Sequence, residues 1–428
     1  MIRTYTAKDK EKVLSILHRP LEQDQAAWQS VRHIIEDVRQ QGDQALLAYT
    51  EQFDGVKLQA ENLLVTPQEY KAAQDQVDAR WKDMLHRSAG RIRAYHEQQK
   101  KQSWMDVQPG SILGQIIRPL ERVGVYVPGG QANYPSSVLM NVIPAQVAGV
   151  EEIVMISPPR PDGTLAPQTL LAAQAAGVQR VFKAGGAQAV AALTYGTQTV
   201  PRVDKITGPG NLYVALAKRM VFGQVGIDSI AGPSEVLILA DDTANPAYVA
   251  ADMLAQAEHD ARAAAVCITD SPALLRRIEA ELARQLDALP RKEMAAAALR
   301  DYGALIGVDT MEEEGIALAN EMAAEHLELL VKEPMALLGR IKHAGAIFLG
   351  PYAPEAVGDY MAGPNHVLPT NGTARFFSPL SVDDFVKKSS VLYFDKAHMQ
   401  ELYEDVALFA ESEGLDAHAH SARIRFSD

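Results

Sequence analysis

From Glu121 to about residue 350 the chain repeats one pattern: a short β-branched run, a Gly or Pro turn, then a helical stretch rich in Ala and Leu. The runs are "RVGVYVP", "EIVMISPP", "RVFKAGG", "KITGPG", "EVLILAD", "AAVCITD", "ALIGVD" and "GAIFLG". Strands alternating with helices predict an α/β class with parallel sheets covered by helices. At 428 residues the chain exceeds one ordinary core, since single cores stop growing near ~250–300 residues. Two sheets therefore fit the length better than one.

The flanks read differently. Residues 21 to about 104 are expected to be helical, because "AAWQSVRHIIEDVRQQGDQALLAYTEQF" spaces its apolar residues at the helical period. His18, His33, His86 and His96 each sit among Arg, Lys, Glu or Gln, so all four are expected on solvated helix faces. After Ser381 come "DFVKKSSVLYF", a helix ending near Glu411, and "GLDAHAHSARIR", whose alternation suggests a strand.

Composition narrows the class of function. Hydrophobic residues make 47% and charged residues 22%, with no apolar run of a length that spans a bilayer, so a membrane role is not expected. The 41 basic against 54 acidic residues leave −13, and the basic ones are scattered, which argues against nucleic acid and for a small-molecule partner. The start, "MIRTYTAKDKEKVLSIL", has no apolar signal core, so the cytoplasm is the expected address. Cys267, alone in the chain, lies in "AAAVCITD" and reads as a buried small hydrophobe.

Three turns follow strands and open helices: "VPGGQANYPSS", "KAGGAQAV" and "TGPGNLYV". Backbone N–H groups at such helix starts suit a phosphate. None matches G-x-G-x-x-G, and no acidic residue stands where the adenosine ribose would be gripped, so dinucleotide sites and plain tight connections both remain open.

Histidines are absent between His96 and His259, and then seven occur up to His420. In "QAEHD", Gln256 and His259 are three apart and would share a helix face, a plausible half of a metal site. Asp359 in "VGDYMAGPNH" and His418 in "DAHAH" are further candidates, and two His with an Asp and an amide oxygen suit zinc. The adjacent Glu325 and His326 stand where a helix meets the strand "HLELLV", with the chemistry for general-base work. A helix-end salt bridge is the plain alternative.

The segments "ERVGVYVPGG", "KITGPGNLYV", "GIDSIAGPSEVLILAD", "LAQAEHD", "AAEHLEL", "GDYMAGPNHVLPTNGTARFFSPLSVDDFVKK" and "GLDAHAHSARIR" occur in order. Together they resemble histidinol dehydrogenase, over nearly the whole chain from "HIIEDVRQQGDQALLAYTEQFDG" onward. The resemblance implies a zinc- and NAD-dependent four-electron oxidation of L-histidinol to L-histidine through L-histidinaldehyde, the last step of histidine biosynthesis, in a homodimer. A sister dehydrogenase acting on another small hydroxy compound is the alternative.

Carried over motif by motif, the zinc ligands are Gln256, His259, Asp359 and His418, and Glu325 and His326 are the acid–base pair. Ser234, His366 and Glu413 join them as substrate contacts, while Tyr126, Gln188 and Asn211 are the NAD contacts. If the tail is extended, His418 and His420 face the same way, and only the family motif favours His418. The implied architecture has two incomplete Rossmann-like domains: residues 21–125 with 234–380, and an inserted NAD-binding domain, 126–233. An N-terminal arm, 1–20, and a tail, 381–428, complete it, the tail bringing Glu413 and His418 to the partner subunit's site.

Overall fold

The computed structural model describes residues 2–19, 25–129, 133–230 and 232–427. The expected boundary at residues 20–21, and residues 130–132 of the first Gly-rich turn, lie outside the described residues. In chain order the strands are β1 (Arg3–Thr6), β2 (Trp104–Gln108), β3 (Ser111–Pro119), β4 (Arg122–Tyr126), β5 (Glu152–Ser157), β6 (Arg180–Lys183), β7 (Lys205–Thr207), β8 (Gly226–Ile227), β9 (Glu235–Ala240), β10 (Ala264–Thr269), β11 (Gly303–Gly307), β12 (His326–Leu330), β13 (Ala346–Leu349) and β14 (Val386–Phe394). All eight expected runs are strands.

Two parallel sheets carry the fold. The five-stranded sheet has the order β6-β5-β4-β7-β8, and the six-stranded sheet the order β1-β11-β10-β9-β12-β13. Every residue of β9 and β10 is buried. Alternate side chains of β9 enter different cores, Leu237 and Leu239 on one face, Val236, Ile238 and Ala240 on the other. β5 divides likewise, Ile153 and Met155 against Val154 and Ile156.

The grouping of flanks differs from expectation. Helices Gln25–Gln41 and Asp43–Asp54 bury Val31, Ile34, Val38 and Leu46 in the core of the five-stranded sheet, and helix Ala79–Glu97 buries Leu85 and Ile92 on its other face. They do not join residues 234–380 as a layer, because their apolar stripes match faces of the 122–227 segment. β4, placed by expectation at the end of the first domain, is the middle strand of that five-stranded sheet. Nor do residues 2–19 form a separate arm: β1 pairs with β11, and Val13, Ile16 and Leu17 enter the core of the six-stranded sheet.

Residues 100–119 and 386–428 form a second compact unit. Within it β14 pairs antiparallel with β3 from Val386↔Pro119 to Phe394↔Ser111, and β2 flanks β3. The tail therefore takes its partner strands from 104–119, which the expected division at 381 did not provide. "GLDAHAHSARIR" is not a strand: helix Asp416–Arg423 turns Ala419 toward Ala407 and Ala410 of helix Lys396–Ser412. On a helix two residues apart means roughly 200° of rotation, so His418 and His420 point to opposite sides.

Of the four N-terminal histidines, His33 and His86 lie exposed on helices, His18 stands past its helix end with Nε2 3.1 Å from the Met322 carbonyl oxygen, and His96 departs furthest from expectation. It is fully buried, with Nδ1 2.7 Å from Gln99 Oε1 and Nε2 3.4 Å from Asn365 Nδ2. Its charged neighbours in sequence point elsewhere on the helix. Cys267 is buried as expected, and burial raises its thiol pKa. Among the described residues no helix is long and apolar enough to cross a membrane.

Candidate active site and metal centre

The amino ends of β9 and β12 lie side by side, with His326 paired to Val236. Helix Ile316–Met322 ends in Ala323 at φ 48°, a left-handed turn that swings Glu325 and His326 onto β12. Gly345 packs against this entry so closely that a Cβ there would lie 2.5 Å from the Glu325 carbonyl oxygen. Sequence order alone placed this pair at a helix–strand junction, and the structure agrees.

Glu325 Oε2 accepts the Glu235 backbone N–H at 2.9 Å, and Glu235 Oε2 accepts the Glu325 N–H at 3.4 Å. Glu235 Oε1 takes the Asn371 N–H at 2.7 Å. Burial pushes the Glu235 carboxyl up to about 8 despite these bonds and the charge of Arg19. Burial, with the Glu235 charge next, raises Glu325 well above the usual carboxylate range.

His326 has its ring Nδ1 2.9 Å from the Glu235 carbonyl oxygen. A carbonyl only accepts, so Nδ1 carries the hydrogen and Nε2 is left with a free lone pair. That Nε2 is buried and has no hydrogen-bond partner. Burial lowers the ring to about 4, so it is neutral at neutral pH. With Tyr95, Phe348, Asp359 and His366, His326 lines a cavity of about 670 Å³.

The other wall comes from "PEAVGDY". A single helical turn, Glu355–Val357, passes into a wider turn, Gly358–Ala362, which sets Glu355 and Asp359 four residues apart on one face. The Glu355 N–H donates to Glu328 Oε1 at 3.0 Å. With its amide nitrogen turned toward Glu355, Gln256 donates to that carboxylate at 2.9 and 3.1 Å. Gln256 is fully buried in the last turn of helix Pro246–Ala257. His259, expected on the same helix face, instead stands exposed beyond the helix end, its N–H on the Gln256 carbonyl at 3.2 Å.

Ligand-type atoms of His259, Glu355 and Asp359 lie within 4.8 Å of one another. The surroundings are short of positive charge. Burial, followed by the charges of Asp359, Glu325, Glu328 and Asp252, raises Glu355 well above its usual range. Glu328 is raised by burial and by Asp252, itself raised by burial to about 6. Asp359 alone goes down: burial pushes it up, but the His366 contact and the charges of His366, His326 and His259 prevail. Nitrogen and oxygen donors around surplus negative charge fit a borderline divalent cation such as zinc.

Loops bearing these groups are pinned from the N-terminal helices. Ser88 Oγ donates to the Tyr360 carbonyl at 2.6 Å, next to Asp359. Asn365, beside His366, donates to the Met140 carbonyl at 2.6 Å and meets the buried His96. His366 Nδ1 is 3.6 Å from Asp359 Oδ1, and Ser234 lies half-buried just ahead of β9. Gln256, His259, Glu325, His326, Asp359 and His366 thus gather in one unit. Glu413, capping helix Lys396–Ser412, and His418 are exposed in the other.

Tyr126, Gln188 and Asn211 lie at or just beyond the carboxyl ends of β4, β6 and β7, where α/β sheets bind ligands. The buried Tyr126 phenol, pushed up to about 12 by burial, accepts the Gly186 N–H at 3.1 Å. Both amide atoms of Gln188 and the Thr207 hydroxyl are buried without partners, as polar atoms awaiting a ligand are. Asn211 caps helix Leu212–Val221, its Oδ1 taken by the Val214 N–H at 3.2 Å. Gly208, at φ 110°, passes so near Tyr126 that a Cβ would lie 2.0 Å from its carbonyl oxygen. Asp228 accepts the Gly208 N–H at 2.8 Å and Lys218 donates to its carbonyl at 3.0 Å, while the two side chains form a buried ion pair.

The family model for histidinol dehydrogenase matches residues 17–426. The chain belongs to the histidinol dehydrogenase family. It is 56% identical over 400 residues to the histidinol dehydrogenase of Halalkalibacterium halodurans, covering 93% of this chain and 94% of that one. Against the Bacillus subtilis histidinol dehydrogenase it is 55% identical over 397 residues, 92% of each. The crystal structure of histidinol dehydrogenase from Elizabethkingia anophelis superposes with a TM-score of 0.93 at 37% identity, covering 99% of this chain and 98% of that chain.

Two site groups escaped the sequence reading. Glu355 stands four residues before Asp359, a helical spacing visible in "PEAVGD", but an isolated Glu after Pro resembles an ordinary helix start. Glu235 adjoins Ser234 in "PSEV" and begins an otherwise apolar strand, where a buried carboxylate is not expected.

Proposed function

We propose that the chain is the histidinol dehydrogenase of its cell, oxidising L-histidinol through L-histidinaldehyde to L-histidine with NAD and one zinc ion. The observation that carries this reading is that His326, a lining residue of the cavity, keeps a buried Nε2 with no partner, and that Asp359 of the same lining belongs to the cluster with His259 and Glu355. Gln256, His259 and Asp359 would hold the zinc with His418 from the second subunit of a homodimer, and Glu355 stands within the same reach. Tyr126, Gln188 and Asn211 would hold NAD. When bound, zinc supplies positive charge that orients the substrate, and NAD supplies the hydride acceptor.

Oxidising a carbinol requires removal of the hydroxyl proton as the hydride leaves. His326 Nε2 takes that proton, while Nδ1–H stays anchored on the Glu235 carbonyl and the Asp359 charge favours the imidazolium formed. The aldehyde must then gain water before the second oxidation. Glu325 is the base for that water, and it sheds its own proton once positive charge offsets Glu235 and Asp359. Ser234, His366 and Glu413 are the remaining substrate contacts in this reading.

The test is the amount of NADH formed per L-histidinol consumed, with and without chelator. About two per substrate, lost on chelation and restored by zinc, is the expected result for a four-electron oxidation. Absence of turnover by folded, zinc-replete protein would redirect the scaffold to another small hydroxy compound. A mixed dimer of His418→Ala and His326→Ala subunits tests the shared site: it should recover activity that neither parent shows. The expected cytoplasmic address is open to a cell-fractionation check.

A further inference from the structure

Dinucleotide folds of the usual kind carry an acidic residue after their second strand, and it accepts a hydrogen bond from the 2′-hydroxyl of the adenosine ribose. Here the second strand of the sheet, β5, runs directly into Pro158, Pro159 and Arg160. The one acid of the following loop, Asp162, is occupied by Thr164, accepting its N–H at 3.0 Å and its hydroxyl at 2.7 Å. Among the described residues, the loop after β5 offers no acid free to accept from the ribose.

Another segment reaches this place. Helix Asp43–Asp54 ends at Asp54, and Gly55 turns the chain at φ 69°. Val56 and Leu58 then approach the loop after β5, where a Cβ on Gly163 would lie 3.6 Å from Val56 Cγ1 and 3.7 Å from Leu58 Cδ2. Asp54 is near enough to Tyr126 for its charge to raise the phenol. Its Oδ2 is buried and has no hydrogen-bond partner, and burial pushes the carboxyl up to about 6. No salt bridge to Asp54 exists among the described residues. A dry, unpaired acceptor at the negative end of a helix works against the fold, and such a group persists where a ligand completes it.

We propose that Asp54 accepts the 2′-hydroxyl of the cofactor's adenosine ribose and so selects NAD over NADP. This rests on the reading of the five-stranded sheet as the cofactor site. Discrimination follows from charge: a 2′-phosphate would meet a half-buried carboxylate that has no cation paired to it. Arg160, the cation of the neighbouring loop, is exposed and acts on Asp162.

The experiment measures KM and kcat for NAD and NADP on the zinc-replete, full-length enzyme with Asp54→Ala and the isosteric Asp54→Asn, the latter guarding against a folding defect. Loss of one charge-assisted hydrogen bond predicts that KM for NAD rises about tenfold or more, the effect lying in KM rather than kcat. The preference for NAD over NADP should fall by a similar factor in both variants. An unchanged KM and an unchanged preference overturn the proposal. Gln188→Ala, run alongside, separates the failures: if it raises KM for NAD while both Asp54 variants do nothing, only the Asp54 assignment is lost. If Gln188→Ala also leaves KM untouched, the cofactor reading of this sheet falls and the proposal falls with it.

Discussion

Replacing Glu355 with Gln removes a negative charge from the candidate metal centre and keeps the side chain's shape. Two unit charges ~4 Å apart interact by about 4 kcal/mol at an effective dielectric of ~20, and a divalent ion doubles that figure. Ligand atoms of His259, Glu355 and Asp359 lie within 4.8 Å of one another, so an ion shared by them would stand no farther than that from the carboxylate. Against this gain stands a proton. Burial and four neighbouring carboxylates hold Glu355 well above its usual range, so at neutral pH a metal ion must first displace that proton. The net loss expected for Glu355→Gln is therefore about 10- to 100-fold in zinc affinity rather than the full Coulomb figure. Competition against a chromophoric chelator reads it directly. The metal-free variant should melt at the same temperature as the parent or higher, because Gln can still accept from Gln256 and is cheaper to bury among acids. Unchanged zinc affinity together with a lower metal-free melting temperature would refute the reasoning and make Glu355 a structural hydrogen-bond group.

Metal-free protein should also lose stability as pH rises, because Glu235 goes from 4.5 to about 8 on burial. A raised carboxyl contributes stability fully below about 4.5 and loses it as pH climbs through about 8, so thermal melts across that window should fall steadily. His326→Ala should abolish both oxidations, whereas Glu325→Ala should spare oxidation of the alcohol more than of the aldehyde. Separate assays with L-histidinol and L-histidinaldehyde decide this, and equal losses for Glu325→Ala would remove the division of labour. Lys218→Met leaves Asp228 buried and uncompensated beside Gly208, and should cost about 3–5 kcal/mol in urea unfolding.

Local pattern carried the architecture a long way. The β-branched runs mark eight strands because strand period and turn chemistry are properties of a few consecutive residues. Exposed strands gave no such signal: all five residues of β2 are exposed, and β14 runs through Lys387, Lys388, Ser389 and Ser390 like a surface segment. The tail misled in the other direction, since "DAHAHSAR" alternates on paper while its alanines at helical spacing seat the segment on the preceding helix. At the candidate site, Gln256, His259, Glu325, His326, Asp359 and His366 were legible through motifs, and the structure gathers them.

What sequence alone determined here is the rhythm of strand and helix, the α/β class and the family, all of which rest on neighbours along the chain. Tertiary structure decided which helices cover which sheet, that His96 is a buried strut, and that Glu235 and Glu355 stand among the site's groups. The physical reason is distance along the chain. Glu235 and Glu325 grip each other across 90 residues, and Asn365 reaches His96 across 269. No local period encodes such pairings, since burial and the charges that shift a carboxyl belong to the folded surroundings rather than to the residue.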